Sequence, residues 1–336
     1  MKRFSLLFAA LLIGAFVTVN AQEKPAEPLK INFSAYGLIG FNYDATEGTG
    51  PDTRFLTRAA RLNISGKFYD KIGFGAQMEL SGTPTMTQAF MDYNADKLLN
   101  IRAGQFKYPF GMEQYPSLFV WKFTNLSYIH DLFTRSMGMN GAMFRDQGVQ
   151  VSGEYKMNDA FSPYYKVMVM NGTGANANDN NNQKDIVAQF GAKFMKDFEA
   201  NFSYLNGRNG VSGQFAETAF NVFLGYKTKT IQAQAEYLSS SVEVAAGPGT
   251  YTAKPQGYYL YATGKVLDNV ELGVRYDVYD RDKEATVDND LSRATVLVGY
   301  YFDDFQKITL NYEFRDDKAN TKLGNLLMLT AYIGLQ

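Results

Sequence analysis

Val270-Glu271-Leu272-Gly273-Val274-Arg275-Tyr276-Asp277-Val278-Tyr279 is the stretch that decides the fold. Val270, Leu272, Val274, Tyr276 and Val278 fall on one face, and Glu271, Gly273, Arg275 and Asp277 on the other. Successive side chains of a strand point to opposite faces, so strict alternation is a strand signature. The pattern recurs. Ile308, Leu310, Tyr312 and Phe314 alternate with Thr309, Asn311, Glu313 and Arg315. Ile231, Ala233, Ala235 and Tyr237 alternate with Gln232, Gln234 and Glu236, and Ile72, Phe74, Ala76, Met78 and Leu80 with Gly73, Gly75, Gln77 and Glu79. Helical spacing fits none of these runs.

Working outward from them, the pattern predicts strands over 31–43, 55–69, 72–81, 85–94, 98–107, 147–156, 160–171, 185–195, 198–206, 217–227, 230–239, 257–265, 269–280, 291–302, 306–315 and 326–335, which is 16. The connections alternate in length. Short ones centre on Asp70-Lys71, Ala95-Asp96-Lys97, Met157-Asn158-Asp159, Lys196-Asp197, Thr228-Lys229, Leu267-Asp268 and Asp303-Asp304, all turn-forming residues. Long ones cover 44–54, 108–146, 172–184, 207–216, 240–256, 281–290 and 316–325, with Gly82–Pro84 a short exception. Sorting by parity is the habit of transmembrane barrels, which have short periplasmic turns and long external loops. The fold class is therefore all-β: a transmembrane antiparallel β-barrel of about 16 strands.

Mean hydropathy is −0.26, and no stretch of the mature chain is apolar enough for a spanning helix. A barrel strand needs only about 9–11 residues with every second one apolar, so averaging hides it. The 23 Tyr and 26 Phe, beside one Trp, suit the aromatic girdles of such a barrel. In a membrane barrel the apolar face is the outer one. About 16 staves enclose a lumen too wide for side chains to fill, so a water channel is expected unless a loop plugs it.

The N-terminus reads differently. Lys2 and Arg3 precede an apolar run from Phe4 to Val19, and Val19-Asn20-Ala21 offers a cleavage site. Residues 1–21 have the form of a secretory signal peptide. Residues 22–30 follow as a short periplasmic lead-in, and 31–336 form the barrel. Removing Lys2 and Arg3 from the 33 basic residues leaves 31 against 34 acidic ones, a mature charge of −3. This well-mixed charge gives no support for nucleic-acid binding. Cys is absent and His130 is the single histidine, so no zinc or thiol site and no cofactor is implied.

Four segments carry a family resemblance. Asn100-Ile101-Arg102-Ala103-Gly104-Gln105-Phe106-Lys107-Tyr108-Pro109-Phe110-Gly111 resembles the strand-to-loop signature of the phosphate-selective porin O and P family. Thr57-Arg58-Ala59-Ala60-Arg61-Leu62 with Gly66, Arg145–Gly153, and Val169-Met170-Asn171-Gly172 resemble three further segments of it, in the family's order. The resemblance implies an outer-membrane porin for ion transport: 16-stranded, a homotrimer in outer-membrane lipids, passing small hydrophilic solutes or anions. It implies that the third external loop folds inward. Here that loop is 108–146, at 39 residues the longest, and it contains Trp121.

Candidate pore-constriction and anion-binding residues are Arg61, Arg102, Lys107, Lys122, Arg135 and Arg145, because rings of charge in a narrow pore select ions by sign. The inward positions are nonetheless mixed. Arg61, Lys67, Arg102, Lys156, Lys166 and Lys193 share them with Glu79, Asp92, Glu154, Glu199, Glu236, Glu271, Asp277 and Glu313. Arg58 falls on the outward parity unless a bulge resets its strand. His130 with Asp131 and Ser127 or Ser136 has the residue types of a hydrolytic triad, but their spacing in one loop does not build the geometry, and no enzyme is read here. Asn176–Asn182 lacks the Glu of a calcium loop and reads as an external tip. The alternative function is a β-rich binding protein, in the outer membrane or secreted, that recognises a glycan or ligand without an open pore.

Overall fold

The computed structural model describes residues 30–46, 52–68, 70–136, 144–209, 213–247, 249–320 and 323–335. The expected signal peptide and all but the last residue of the lead-in lie outside these residues. The N-terminal strands are β1 (Lys30–Asp44), β2 (Asp52–Phe68), β3 (Ile72–Glu79), β4 (Thr85–Asp96), β5 (Leu99–Lys107), β6 (Arg145–Glu154), β7 (Phe161–Met170), β8 (Asp185–Phe194) and β9 (Phe198–Asn209). They continue as β10 (Phe215–Lys227), β11 (Ile231–Ala246), β12 (Gly249–Ala253), β13 (Gln256–Leu267), β14 (Val270–Asp280), β15 (Leu291–Tyr301), β16 (Gln306–Asp317) and β17 (Leu326–Leu335).

Apart from β12 and β13, each strand pairs antiparallel with the next, and β1 also pairs with β17, from Ala35↔Leu335 to Asp44↔Leu326, which closes the barrel. The β12 and β13 segments both pair with β11 and are two parts of one stave interrupted at Lys254-Pro255, so the barrel has sixteen staves. Proline cannot donate to the ladder, and the interruption falls on it. The expected long loop 240–256 is thereby corrected. Ser241–Val244 keeps the two-residue period, and a hairpin continues the barrel beyond its rim as far as Ala246↔Gly249. Similarly, β9 and β10 stay paired to Asn209↔Phe215, which leaves only 210–214 of the expected loop 207–216.

The faces follow the alternation. Leu272, Val274 and Tyr276 are exposed on the outside, while Glu271, Gly273, Arg275 and Asp277 are buried within. Ile308, Leu310 and Phe314 point out, and Thr309, Asn311 and Glu313 in. Phe68, Phe161, Tyr300 and Phe302 ring the outer face near the short turns, and Tyr43, Phe55, Tyr237, Tyr258 and Phe314 ring it near the other end. These are the interfacial girdles of a membrane barrel. Two inward expectations fall at the rim instead. Lys67 is exposed near the end of β2, and Lys156 lies past the end of β6, paired with Asp159 at 2.7 Å in solvent. Arg58 is the extra residue of a β-bulge, since Leu38 faces Ala59 while Ile39 faces Thr57. The bulge turns its guanidinium inward, where it donates to Asn125 Oδ1 at 2.6 Å.

Val274 and Leu310 sit mid-strand on the outer face. Val274→Arg and Leu310→Arg should each destabilise the barrel by about 2–4 kcal/mol. Urea titration of refolding into lipid vesicles measures this; unchanged midpoints in both variants would contradict the face assignment.

Candidate functional site

The chain between β5 and β6 does not stay outside. It turns into the lumen and crosses it. Gly111 makes the turn with φ +72, and a Cβ there would lie 2.3 Å from His130 Cε1, so both the backbone angle and the space require glycine. A 3-10 turn over Leu118–Val120 packs against Leu38, Ala59 and Tyr332, on the wall of β1, β2 and β17. Helix α1 (Tyr128–Ser136) follows. Phe110, Ile129, Phe133 and Phe144 are fully or almost fully buried in the loop's own core, against Tyr108 and Tyr259.

The loop is fastened chiefly to acidic residues of the C-terminal wall. Glu236 on β11 accepts from Met112 N at 2.8 Å and Tyr259 OH at 2.9 Å, and lies 2.8 Å from His130 Nε2. Glu271 on β14 pairs with Lys122 at 2.7 Å and accepts from Tyr301 OH. Asp277 accepts the Tyr128 N–H at 2.9 Å and pairs with Arg275 and Arg293 at 3.2 and 2.9 Å. Glu313 on β16 accepts from Asn125 Nδ2 and pairs with Arg293, both at 3.1 Å. The loop adds Glu113, which accepts from Ser127 N and Oγ and pairs with Arg275. Two carboxylates thus sit at the N-terminal end of α1, where unpaired backbone N–H groups and the helix dipole favour negative charge.

The opposite wall carries a cluster of basic side chains, two of them paired with carboxylates. Arg61 pairs with Glu79 at 2.7 Å, and Arg102 with Asp92 through bonds of 2.7 and 2.9 Å. The Arg102 guanidinium is also held 3.9 Å over the Phe90 ring, which fixes its plane. Arg145 donates to Gln77 at 3.4 Å. Lys107 Nζ donates to the carbonyls of Gln114, Tyr115 and Pro116 at 2.5, 3.0 and 2.8 Å. An ammonium has three donors, so Lys107 is a hook that sets the loop's distance from the wall. Arg61, Arg102, Lys107 and Arg145 line one cavity of about 170 Å³ with Gln77, Gln88, Tyr115 and Ser117. Beyond it, Lys166 lies 4.2 Å from the Tyr115 ring and lines a second cavity of about 230 Å³ with Lys97, Lys193, Glu154 and Glu199.

Four of the six sequence candidates therefore meet. Lys122 is placed elsewhere, against Glu271. Arg135 lies in α1, and its side chain falls outside the described residues. Sequence reasoning missed Tyr115, Ser117, Gln77 and Gln88, which carry no charge to attract notice. It also missed that Glu236, Glu271, Asp277 and Glu313 are docking partners of the loop. Their inward parity was the available signal, but parity does not name a partner. The triad types do not converge: His130 is on Glu236, and Ser127 is on Glu113.

A closed barrel with an apolar outer belt and a loop folded across a charged lumen defines an outer-membrane porin, a channel rather than an enzyme. The chain belongs to the phosphate-selective porin O and P family, whose match spans residues 36–331. Solved barrels share the fold at low identity. An anion-selective porin from Comamonas acidovorans is 13% identical with TM-score 0.70, covering 91% of this chain and 100% of that one. The outer membrane channel DcaP of Acinetobacter baumannii is 14% identical with TM-score 0.64, covering 91% and 97%. OmpT of Vibrio cholerae in its trimer form is 14% identical with TM-score 0.63, covering 92% and 100%. No curated protein matches the sequence.

Burial alone would lower the pKa of His130, but the Glu236 carboxylate, with Glu113 behind it, more than offsets burial and holds it above the usual histidine value. The charged form therefore stabilises docking fully below pH of about 6.5, and that contribution is lost as pH rises through the higher folded value. Trp121, on the loop, reports docking by its fluorescence. The urea midpoint for its release should fall between pH 5.5 and 8.5, and His130→Asn should remove most of that dependence. An equal fall in the variant would assign the effect to another group.

Proposed function

We propose that this porin passes small hydrophilic anions, phosphate among them, along the basic cluster of β2, β5, β6 and β7. The observation that carries the reading is the difference between the walls in which charges the loop engages. The acidic side chains of β11, β14 and β16 are bonded to the loop or to Arg275 and Arg293, whereas Arg61, Arg102, Lys107 and Arg145 gather around one cavity on the other side. Of these four, Arg61, Arg102 and Arg145 carry guanidinium groups, and Arg61 and Arg102 keep donors beyond those given to Glu79 and Asp92 that suit phosphate oxygens. Lys107 acts by position, its donors being engaged by the loop. Lys122 takes no part in this path, because it lines a different cavity. Charge inside a narrow, poorly screened lumen selects by sign.

Residues 1–21 export the chain and are removed, and the mature barrel sits in outer-membrane lipid. Assembly as a homotrimer is consistent with the family and with the trimer form of the Vibrio cholerae relative.

Single-channel recording of the refolded mature protein in a planar bilayer tests the reading. In chloride, steps should appear in groups of three, and added phosphate should reduce the current. Arg61→Gln combined with Arg102→Gln should weaken the phosphate effect by about tenfold or more, since each lost charged hydrogen bond is worth roughly 1.5–3 kcal/mol. Steps indifferent to phosphate would remove the anion site and leave a general porin. No steps from folded protein would favour a binding protein with a closed lumen.

A further inference from the structure

On the short-turn side of the crossing loop lies a larger cavity, about 390 Å³, which the anion path does not use. Lys122 and Lys307 line it, with Tyr301 between them. The ammonium groups of Lys122, Lys265 and Lys307 lie 5.8, 5.7 and 5.7 Å from the centre of the Tyr301 ring. Lys122 has Glu271 as its counter-ion at 2.7 Å. Lys307 makes no direct ion pair among the described residues, and it shares Glu271 with Lys122 only at longer range. It is 6% exposed, donates to the Trp121 carbonyl at 2.8 Å, and otherwise faces the rings of Tyr301 and Tyr332. Two buried ammonium groups sharing one carboxylate leave an excess of positive charge that an added anion would offset.

An apolar strip on the loop and on β10 forms part of the remaining lining, beside Gln232, Gln234 and Gln306. Phe119, Val120 and Phe223 face this space, and Val120, on the underside of the loop, is 54% exposed. An inorganic anion gains nothing from such a surface. Glu199, Asp303 and Asp304 also line the cavity with Lys227, so the lysine pair Lys122–Lys307 is the place for an anionic end and Phe119 and Val120 the place for an apolar body. The volume falls within the range of small-molecule sites.

We propose that this vestibule is a second anion site, separate from the Arg61–Arg145 cluster, which takes an organic anion with an apolar body: an aryl or alkyl phosphate or carboxylate. Lys307 and Lys122 bind the anionic head, and Phe119, Val120 and Phe223 cover the body. The site does not depend on the ion preference of the channel, because it is read by binding and not by current.

Calorimetric titration of the refolded mature protein with phenyl phosphate, and separately with inorganic phosphate, tests this. Burying a ring-sized apolar group should favour phenyl phosphate by about tenfold or more. Val120→Ser, at an exposed position that leaves the barrel core intact, should weaken phenyl phosphate severalfold and leave inorganic phosphate unchanged. Lys307→Met should abolish the preference, and Arg102→Gln, in the other cavity, should preserve it. Equal affinities for the two probes, a Val120→Ser protein with unaltered phenyl phosphate affinity, or a preference lost with Arg102→Gln would each overturn the proposal.

Discussion

The docking of one loop onto four wall carboxylates is the constraint on which the lumen's organisation depends. A sixteen-stave barrel closes its backbone hydrogen bonds without help from its interior, so nothing in the sheet itself dictates what fills the centre. Glu236, Glu271, Asp277 and Glu313 do. Each accepts from, or pairs with, a group of the segment between Met112 and Tyr128: a backbone N–H, His130 just beyond, Lys122 or Asn125. Removing one partner of such a buried pair is expensive even though forming the pair gains little, so the interactions specify a position more than they add stability.

The position has a chemical consequence. Counted along the sequence, the inward charges are mixed and argue against any preference for ion sign. In space, most of them are paired, and what differs between the walls is which charges the loop engages. The loop covers the acidic wall and leaves the arginines of β2, β5 and β6 facing the remaining space, with Lys107 holding the loop at a fixed distance through three carbonyls. Arg102 shows how the wall keeps its shape, because Asp92 and the Phe90 ring grip the same guanidinium. Charge balance is thus met locally on both walls, and Arg61, Arg102, Lys107 and Arg145 still gather around one cavity.

The parts that could be read from the sequence follow from period two. The alternation at Val270–Tyr279 assigned both faces of β14, its recurrence along the chain gave the stave count, and the parity of connection lengths gave the membrane-barrel class. Arg58 was legible only as a conditional, since a bulge is one inserted residue and leaves no mark in the pattern. The hairpin at 240–256 was read as a loop because glycine and proline near its tip outweighed the alternation leading to it. The pairing of Lys122 with Glu271 spans 149 residues, and that of His130 with Glu236 spans 106. Spacing along a chain carries no information at such separations, so Lys122 looked like a constriction residue until the fold placed it on the other side of the loop.

The central claim is that the loop masks the acidic wall, and the reversal potential across a bilayer under a potassium chloride gradient tests it most directly when the intact barrel is compared with one whose residues 112–135 are replaced by a short glycine-serine link. With Glu236, Glu271, Asp277 and Glu313 uncovered, conductance should rise and the anion preference of the intact barrel should fall toward zero or reverse. A larger conductance with an unchanged reversal potential would contradict the claim, because selectivity would then not depend on what the loop covers.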